Sequence, residues 1–527
     1  DHGVALLVAS SQALPIGQPP LSTSYMDGVG SMMRGLAMGY DAFGKSMSAE
    51  QRAIVEDAGR AYLAYLLAEA ATPRQWWVPY HNYMGCAFGG GGLLALSLTD
   101  AYPDASAAWL KNCTEELTRW FGLAFDAQGA YCEGTSYTEY GLRNAVLFMH
   151  ALKSNGGPDL FQHPHLRMVP QFFALSLLPG EKVFDARNDA YYKGLSDPLW
   201  LRIAEGQQSG LARWLWDTCG TRGSWWEVVW HTNVSPVSPD ASGLPQVRHF
   251  EGRGLVIART GWTANDLMFS IEAGPFHRKI HNQADKGAFT LYGYGQRWAI
   301  DSGYGNTQAI DGAAQTVAHN AVLIDGKGQA LSGAGLGTDG SILAFEDSTH
   351  RTYVHADATS AYQVNSDGQA GIALRHAHRH VLWVKALDGR EPYCVLFDDI
   401  DVDDAEHDFV WQMHTSERMR IDADGTSATF QPEEGGVPEL LAVFCSRDPM
   451  TLGTRQYNDH PVLEARVRAK RLQLVSLLFP TQEAVAAREV SAEYSATEGI
   501  ALRIHFQNAV DTILWKPGTA PRLGREG

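Results

Sequence analysis

Residues 281–305 read HNQADKGAFTLYGYGQRWAIDSGYG and combine a buried-looking strand with side chains that transfer protons or bind metals. Phe289, Leu291, Trp298 and Ile300 are typical strand residues, and the Gly-Tyr-Gly-Gln segment between them predicts a hairpin turn. Polar groups beside a buried strand must be hydrogen-bonded, or they must do chemistry. The polar residues in question are His281, Asn282, Gln283, Asp285, Lys286 and Asp301.

Four of the polar residues in this part of the chain are possible metal ligands. His281, Gln283, Asp301 and His319 fall on or beside neighbouring predicted strands. Imidazole, carboxylate and amide oxygen can together complete a metal shell, and a His–Asp pair favours zinc or manganese. Their spacing is too long to be a motif, so a hydrogen-bonded polar network within the sheet is the competing interpretation.

Residues 74–92, RQWWVPYHNYMGCAFGGGG, form a second candidate segment. His81 and Asn82 precede a run of glycines, which suits a place where backbone approaches a ligand. The competing interpretation is a helix start with an ordinary aromatic core. The aromatic residues that are able to stack on sugar rings are Trp76, Trp77, Tyr80 and Tyr83.

Residues 129–144, GAYCEGTSYTEYGLRN, form a third candidate segment. Tyr137, Tyr140 and Asn144 fall on one face of a helix predicted to begin near Glu133. A tyrosine near a cation such as Arg143 can have a lowered pKa and carry protons. Core tyrosines whose hydroxyls reach the surface are the competing interpretation.

Two kinds of domain must position these segments. Residues 1–235 read as successive amphipathic helices, with a capping-box pattern at 48–51 and helical periodicity near 105–124, 135–153, 163–178 and 197–217. Residues 232–245 are rich in Pro, Ser and Asn and read as a linker. Short apolar runs separated by turns fill 246–527 and predict an antiparallel β-sandwich.

The bulk composition excludes several classes of protein. The chain has 527 residues and a net charge of −17, which disfavours a nucleic-acid binder. No apolar run is long enough for a transmembrane helix, and no signal peptide is visible at the start. The six cysteines form no CxxC pair, so neither a disulfide scaffold nor a thiolate zinc site is expected.

Taken together, four segments resemble the heparinase II/III-like polysaccharide lyases. They are HNYMGCAFGGGGL, YCEGTSYTEYG, HNQADKGAFTLYGYGQRWAIDSGYG and AHNAVLIDG, in the family's order. The resemblance covers most of the chain and implies an (α/α) toroid of helical hairpins followed by an antiparallel β-sandwich. The helical part is short for a complete toroid, so we expect Asp1 not to be the natural start.

The resemblance implies β-elimination at a uronic acid of an anionic polysaccharide. Asn82 would neutralise the uronate carboxylate, assisted by His81 or Arg143. Tyr137 would be the general acid. It would also be the base when the C5 proton and the leaving group lie on the same face of the sugar. His281 would be the base when the C5 proton and the leaving group lie on opposite faces of the sugar. Tyr304 is a weaker candidate for a second proton carrier. The expected substrate-binding residues are Arg143, Trp76, Tyr83 and Arg278.

The resemblance also implies a divalent metal ion held by Gln283, Asp301 and His319. Many members have histidine where this chain has Gln283, whose amide oxygen is a weaker and harder ligand, so zinc, manganese and calcium all stay open. We expect the ion to be structural, with the protein periplasmic or secreted and its oligomeric state unknown. A uronyl C5-epimerase, a toroid glycoside hydrolase and an inactive carbohydrate-binding protein remain alternatives.

Overall fold

The protein forms two compact units in a computed structural model that describes residues 2–13, 26–71, 78–277, 281–305, 312–330, 339–363, 371–386, 391–483, 490–495, 499–506, 509–516 and 519–526. The helical unit comprises Asp1–Ala174 and Lys193–Ser242, and the β unit comprises Leu175–Tyr192 and Gly243–Gly527. Helices therefore precede antiparallel sheets, as the sequence predicts. Residues 175–192 group with the β unit, which corrects the prediction that they belong to the helical domain.

The helical unit is built from helices that alternate between two layers. In chain order they are α1 (His2–Ala13), α2 (Met26–Phe43), α3 (Ala49–Ala71), α4 (Asn82–Ser97), α5 (Pro103–Ala124), α6 (Gly134–Ser154), α7 (Pro164–Ser176), α8 (Leu199–Gln207), α9 (Gly210–Cys219) and α10 (Trp226–Val229). Helices α2, α4, α6 and α8 pack against one another in series, and α1, α3 and α5 form the second layer. This is the packing expected of helical hairpins side by side.

Local signals set the ends of these helices. Ser48 and Gln51 form the predicted capping box, with Gln51 N–H donating to Ser48 Oγ at 3.1 Å and Ser48 N–H to Gln51 Oε1 at 3.0 Å. The helix predicted over 197–217 is broken in two. Gln208 takes a left-handed conformation (φ 51°) that ends α8, and Ser209 caps α9 through Oγ.

The glycine run lies inside α4 and brings helices together. A Cβ on Gly90 would lie 2.0 Å from the carbonyl oxygen of Gly30 in α2, and one on Gly89 would lie 2.4 Å from the backbone nitrogen of Ala145 in α6. Only glycine permits backbones to approach this closely. The run therefore serves helix packing, which corrects the expectation that it receives a ligand.

The β unit consists of antiparallel strands and one short helix, α11 (Thr359–Gln363). The strands are β1 (Val247–Phe250), β2 (Leu255–Arg259), β3 (Leu267–Glu272), β4 (Ala288–Gly293), β5 (Gln296–Ala299), β6 (Val322–Ile324), β7 (Ser341–Asp347), β8 (Arg351–Asp357), β9 (His376–Val384), β10 (Tyr393–Asp401), β11 (His407–His414), β12 (Arg418–Ile421), β13 (Ser427–Gln431), β14 (Glu439–Ser446), β15 (Met450–Tyr457), β16 (His460–Ala469), β17 (Arg471–Thr481), β18 (Val490–Ser495), β19 (Gly499–Phe506), β20 (Ala509–Trp515) and β21 (Arg522–Glu526).

These strands form four sheets around two hydrophobic cores. The sheets have the orders β1-β2-β3-β4-β5, β12-β13-β14-β17-β10-β9-β8-β7, β15-β16-β11-β6 and β18-β19-β20-β21. One core is shared by the first three sheets and includes Phe289, Trp383 and Trp411. The other lies between the eight-stranded sheet and the β18–β21 sheet and includes Phe397 and Trp515. The predicted antiparallel β-sandwich is confirmed.

The predicted hairpin joins β4 to β5. Tyr294 and Gly295 have φ values of 57° and 78°, the positive values that a type I′ turn requires. Gly293 and Gln296 face each other across the turn. Every residue of β4 is buried, so the polar residues that precede it must be satisfied locally.

The segment 175–192 is held to the five-stranded sheet β1–β5 by buried arginines. Arg259 donates through one terminal nitrogen to the carbonyl oxygens of Leu175 and Leu177 at 2.9 and 2.7 Å. Arg187 donates to Ser270 Oγ at 3.0 Å and to the Ser270 carbonyl at 3.1 Å. This anchoring brings Asp189 to the end of the sheet where the polar run begins.

Among the described helices, none combines the length and the apolar character needed to cross a lipid bilayer.

We expect Gly90→Ala to destabilise the helical unit, because the added methyl group has no room against α2. Overpacking of this kind costs about 1–3 kcal/mol, occasionally more, which outweighs the roughly 1 kcal/mol that alanine gains over glycine in a helix. Thermal unfolding followed by far-ultraviolet circular dichroism measures the loss.

The matched control is Gly122→Ala in α5. A Cβ there would meet no described atom within 4 Å apart from its own helix and chain neighbours. That variant should melt at the same temperature as the parent or higher. Equal melting temperatures for the two variants would contradict the packing role of the glycine run.

Candidate functional site

His81 caps the start of α4. Its Nδ1 atom accepts a hydrogen bond from the Tyr83 backbone N–H at 3.1 Å, which satisfies one of the amides that a helix start leaves unpaired. Because Nδ1 is the acceptor, the proton of the neutral imidazole lies on Nε2. The Tyr83 ring packs on the imidazole with a centroid separation of 4.0 Å. His81 is therefore held in one tautomer with Nε2–H as its donor.

The carboxylate of Glu133 orients Asn82. Its Oε2 atom accepts from the Asn82 backbone N–H at 3.2 Å, from Asn82 Nδ2 at 2.7 Å and from the Tyr131 hydroxyl at 2.9 Å. A carboxylate only accepts, so this contact fixes which side of the amide carries nitrogen. Asn82 Oδ1 then points elsewhere and, among the described residues, has no hydrogen-bond partner although it is buried.

Tyr137 lies in the first turn of α6, half-buried, with its ring edge-on to Tyr140 at 6.1 Å. The Tyr140 hydroxyl donates to Asp27 at 2.6 Å. Burial, and then this hydrogen bond, raise the pKa of Tyr140 above its usual range. Tyr140 therefore keeps its proton at neutral pH, which leaves Tyr137 as the candidate proton carrier of the pair.

Arg143 is anchored by one of its nitrogens only. Nε donates to Asp197 Oδ2 at 2.9 Å, and the side chain is 42% exposed. Glu139 fixes Asp197 by accepting from the backbone N–H groups of Ser196 and Asp197 at 2.9 and 3.0 Å. The terminal nitrogens of Arg143 take no part in this contact and can serve an anionic ligand.

Arg34 adds a second cation near Arg143. It donates through a terminal nitrogen to Asn144 Oδ1 at 2.8 Å. Burial, followed by the like charge of Arg143, lowers the pKa of Arg34. Two guanidinium groups thus lie close together, with Asp197 as a nearby counter-charge, in a chain that is acidic as a whole.

In the β unit, Asp189 joins two of the predicted residues. Its Oδ2 atom lies 2.7 Å from His281 Nδ1, and its Oδ1 atom accepts from Gln283 Nε2 at 2.8 Å. A carboxylate that accepts the Nδ1 proton leaves the lone pair on Nε2, which is the arrangement of an oriented general base. His281 is partly exposed, whereas Gln283 is fully buried.

The structure also brings together Asp301 and His319. His319 Nδ1 lies 3.0 Å from Asp301 Oδ2, and both side chains are buried. Burial acts against the charged imidazole, but the Asp301 carboxylate outweighs it, so the pKa of His319 is raised. Gln283 Oε1 and His319 Nε2 are buried and have no hydrogen-bond partner among the described residues.

This donor set is compatible with a cation. His319 Nδ1 and Asp301 Oδ2 lie 3.0 Å apart, a separation that fits a hydrogen bond and is also short enough for two ligands of one ion. Gln283 turns its nitrogen to Asp189 and the Gly303 carbonyl, so its oxygen is the atom left to bind. The same contacts also satisfy the polar-network interpretation in part.

The remaining predicted residues have varied positions. Tyr304 is 37% exposed, and its ring meets those of Tyr191 and His281 at centroid distances of 5.4 and 6.3 Å. Trp76 and Arg278, both predicted to bind substrate, lie outside the described residues.

Buried ion pairs satisfy much of the rest of the polar run. Lys286 Nζ lies 2.9 Å from Asp285 Oδ1 and 3.5 Å from Glu272 Oε1, and Glu272 also pairs with Arg253 at 2.9 Å. Charged groups this deeply buried are stable only when paired. Asp285 and Lys286 therefore hold the start of β4 in place, while His281 and Gln283 share Asp189.

Sequence reasoning missed the two carboxylates that orient the site. Glu133 lies in a recognised segment, but the sequence predicts it only as the start of a helix. Asp189 lies in ARNDAYY, which has no periodicity and no motif. The available signal was the charge density of residues 185–189, DARND, in a stretch otherwise read as part of the helical domain.

Comparison with known proteins agrees with this picture. Residues 243–481 match the family model described as Heparinase II/III-like, C-terminal. No curated protein sequence matches the chain.

Solved structures share the fold over nearly the whole chain. A crystal structure of heparinase III has a TM-score of 0.71 and 14% identity, covering 99% of this chain and 78% of that one. Heparan sulfate lyase HepC from Pedobacter heparinus has a TM-score of 0.64 and 14% identity, covering 100% and 78%. At such identities the likeness extends to the fold alone.

We expect Asn82→Asp to make the helical unit unstable at high pH. The new carboxylate would lie against Glu133 Oε2, and two carboxylates this close cannot both ionise. The pair would share a proton, so its pKa in the folded state exceeds that in the unfolded state. Stability is then present at low pH and lost as pH rises through that pKa, by about 3–5 kcal/mol for an uncompensated buried charge. Melting temperatures measured from pH 5 to pH 8, relative to the parent, report this.

Asn144→Asp is the matched control. It makes the same change at another buried asparagine, but its carboxylate would meet Arg34. That variant loses the hydrogen bond from Nδ2 to the Cys86 carbonyl, but its stability relative to the parent should stay constant from pH 5 to pH 8, because a carboxylate paired with Arg34 is already ionised there. A flat pH profile for Asn82→Asp would contradict the contact with Glu133.

Proposed function

We propose that this protein is a polysaccharide lyase that cleaves uronate-containing chains by β-elimination, since residues 243–481 match the Heparinase II/III-like, C-terminal family model. The observation that carries the proposal is the hydrogen bond between Asp189 and His281, because it orients His281, which lies in the matched segment, as a general base. The fold, which is that of heparinase-like polysaccharide lyases, supports it.

Elimination at a uronic acid makes three demands on an enzyme. The C5 proton is weakly acidic because the ionised C6 carboxylate opposes a second negative charge, so that carboxylate must be neutralised. A base must then remove the C5 proton, and an acid must protonate the departing O4. Groups that act only as charge develops in the transition state raise kcat.

His281 supplies the base in this proposal. Asp189 holds the Nδ1 proton, so Nε2 can accept the C5 proton, and the carboxylate then stabilises the imidazolium that forms. His281 takes this role when the proton and O4 lie on opposite faces of the sugar. Tyr137 would serve as both base and acid when they lie on the same face.

Tyr137 supplies the acid, and Asn82 the neutraliser. Tyr137 is half-buried, so its hydroxyl can reach a ligand. Glu133 occupies one N–H of the Asn82 amide and leaves the second N–H for the uronate carboxylate. His81 Nε2–H and the free nitrogens of Arg143 assist, and Tyr304 remains the second proton carrier.

The substrate is an anionic polysaccharide or oligosaccharide. Arg34 and Arg143 provide positive charge for it in the helical unit. The similar structures are a heparinase III and a heparan sulfate lyase, so heparan-type chains are the first to test, followed by chondroitin, hyaluronan and alginate. A periplasmic or secreted location suits such a substrate.

We also propose that Gln283, Asp301 and His319 hold one divalent ion. The buried and unpartnered Gln283 Oε1 and the close His319–Asp301 pair support it. The ion would be structural and would neutralise buried negative charge beside the segment that carries His281. Its identity among zinc, manganese and calcium stays open, with the oxygen of Gln283 favouring the harder ions.

The test is to incubate the protein with this panel of uronate polysaccharides and identify the products. We expect new ends that carry a C4=C5 double bond conjugated to the carboxylate, seen by ultraviolet absorbance and mass spectrometry. Tyr137→Phe removes one hydroxyl and little volume. It should lower kcat by roughly 10²–10⁴-fold and leave KM nearly unchanged.

Other outcomes favour other functions. Saturated products would indicate a hydrolase. Exchange of the C5 proton with deuterated solvent, without cleavage, would indicate an epimerase, and binding alone would indicate an inactive carbohydrate-binding protein. Retention of most of kcat by Tyr137→Phe would return Tyr137 to a core role and move the acid to Tyr304 or His281.

For the ion of Gln283, Asp301 and His319, we expect Asp301→Asn to lose one bound ion per chain. The parent should melt at a higher temperature when loaded, since a ligand at 100 times its Kd stabilises the folded state by about 2.7 kcal/mol. Elemental analysis measures the ion content, and the melting temperature before and after chelation measures the stabilisation. Asp459→Asn, at a side chain 97% exposed, is the control. An equal ion content in Asp301→Asn and the parent would leave the polar network as the explanation.

A further inference from the structure

Three histidines that do not belong to the candidate functional site meet on one face of the eight-stranded sheet. His378 and His380 lie two positions apart on β9, so their side chains share a face. His355 on β8 lies directly opposite His380 in the antiparallel register. One ring nitrogen from each of the three lies within 4.8 Å of those of the other two. We call this group the histidine triplet.

The histidine triplet lies at the edge of the smaller hydrophobic core. The His380 ring contacts Trp515 of β20 at a centroid distance of 5.5 Å, and Trp515 is fully buried in that core. His380 is fully buried, whereas His355 and His378 are partly exposed. The group is thus open to solvent on one side and closed by apolar residues on the other.

Two nitrogens of the histidine triplet are buried without a hydrogen-bond partner among the described residues. They are His355 Nε2 and His380 Nε2. Buried polar nitrogens normally find partners, and each exception calls for an explanation such as an ion. The other nitrogen of His380, Nδ1, lies 2.8 Å from the Tyr353 hydroxyl. When that nitrogen carries the proton, Nε2 is left as a lone-pair donor.

The surroundings keep these imidazoles neutral. Burial, followed by the nearby His378, lowers the pKa of His355 to about 4, and burial with His355 and His378 lowers the pKa of His380 to about 3. Burial also lowers the pKa of His378. Neutral imidazole is the form that binds metals.

We propose that His355, His378 and His380 bind one transition-metal ion of the zinc class. Three imidazole nitrogens on a rigid sheet match the ligand set of a site with an open fourth position. Imidazole suits zinc, copper and nickel, whereas calcium and magnesium prefer oxygen ligands. Asp357 Oδ1, 3.7 Å from His378 Nε2, provides a carboxylate beside the site.

Binding requires a small rearrangement. The rings of His355 and His380 are stacked at 4.0 Å with an interplanar angle of 21°. Their nitrogen lone pairs therefore lie in nearly parallel planes and do not converge on one point. His355 is partly exposed and can turn about its side-chain bonds, whereas His380 is fixed by Tyr353 and Trp515. Metal binding would then pull His355 out of the stack.

The histidine triplet is separate from the set of Gln283, Asp301 and His319. Arg379 lies between His378 and His380 on β9 and so points to the opposite face. There it donates to the carbonyl oxygens of Gly287 and Asn320 at 2.6 and 2.7 Å. Asn320 follows His319 directly, so the two sets lie on opposite sides of the sheet.

The experiment counts ions in the full-length protein, freed of any affinity tag, chelator-treated and dialysed against zinc. Zinc is measured by elemental analysis, and cobalt replaces it as a spectroscopic probe. The double variant His355→Gln/His378→Gln changes the two partly exposed members, so it should fold. We expect it to bind one ion fewer than the parent and to lose the visible absorption of imidazole-bound cobalt. This difference does not depend on whether Gln283, Asp301 and His319 also hold an ion.

His376→Gln is the matched control, because His376 shares the strand and face but pairs with Asp399 at 3.3 Å. It should bind as many ions as the parent. Tyr353→Phe removes the partner of His380 Nδ1 and should weaken cobalt binding about 10- to 100-fold. Equal zinc content in the parent and a folded double variant, with unchanged cobalt spectra, would overturn the proposal.

Discussion

One buried carboxylate decides the chemistry of the polar run in the β unit. Asp189 accepts from His281 Nδ1 with one oxygen and from Gln283 Nε2 with the other. Because an ionised carboxylate can only accept, both neighbours must turn a donor toward it. His281 is left with a basic nitrogen, and Gln283 is left with an oxygen that can bind a cation. Without this acceptor, His281 Nδ1 would lose the partner that fixes its tautomer, and Gln283 Nε2 would keep only the Gly303 carbonyl at 3.2 Å.

Glu133 applies the same constraint in the helical unit. It turns the nitrogen of Asn82 toward itself and accepts from the Tyr131 hydroxyl. Its position depends on helix packing that only glycines allow, since α4 approaches α2 and α6 through Gly90 and Gly89. In both units a carboxylate without a direct chemical role thus fixes the donors and acceptors of the residues that have one.

The features that the sequence predicts best are local. The capping box at Ser48 and the turn at Tyr294–Gly295 depend on residues within a few positions of one another, and both are present. The α-then-β order follows from periodicity and is confirmed. The glycine run was misread because its reason lies in α2 and α6, which are distant in sequence. Asp189 was missed for the same reason, since its partners lie more than 90 positions away.

The histidine triplet shows how far periodicity alone can reach. The alternation H-A-H-R-H of residues 376–380 predicts that the three histidines share one face of a strand. It gives no indication that His355 lies opposite His380, because the register of β8 is set by packing across the whole sheet.

The alternation also places Arg379 on the other face, buried and paired with Asp398 at 2.7 Å. One strand therefore presents neutral imidazoles on one side and a guanidinium on the other, which supports the loops around His319. A cation bound by the triplet would be separated from that region by the thickness of the sheet, and this separation would let two cation sites occupy the same domain without competing for ligands.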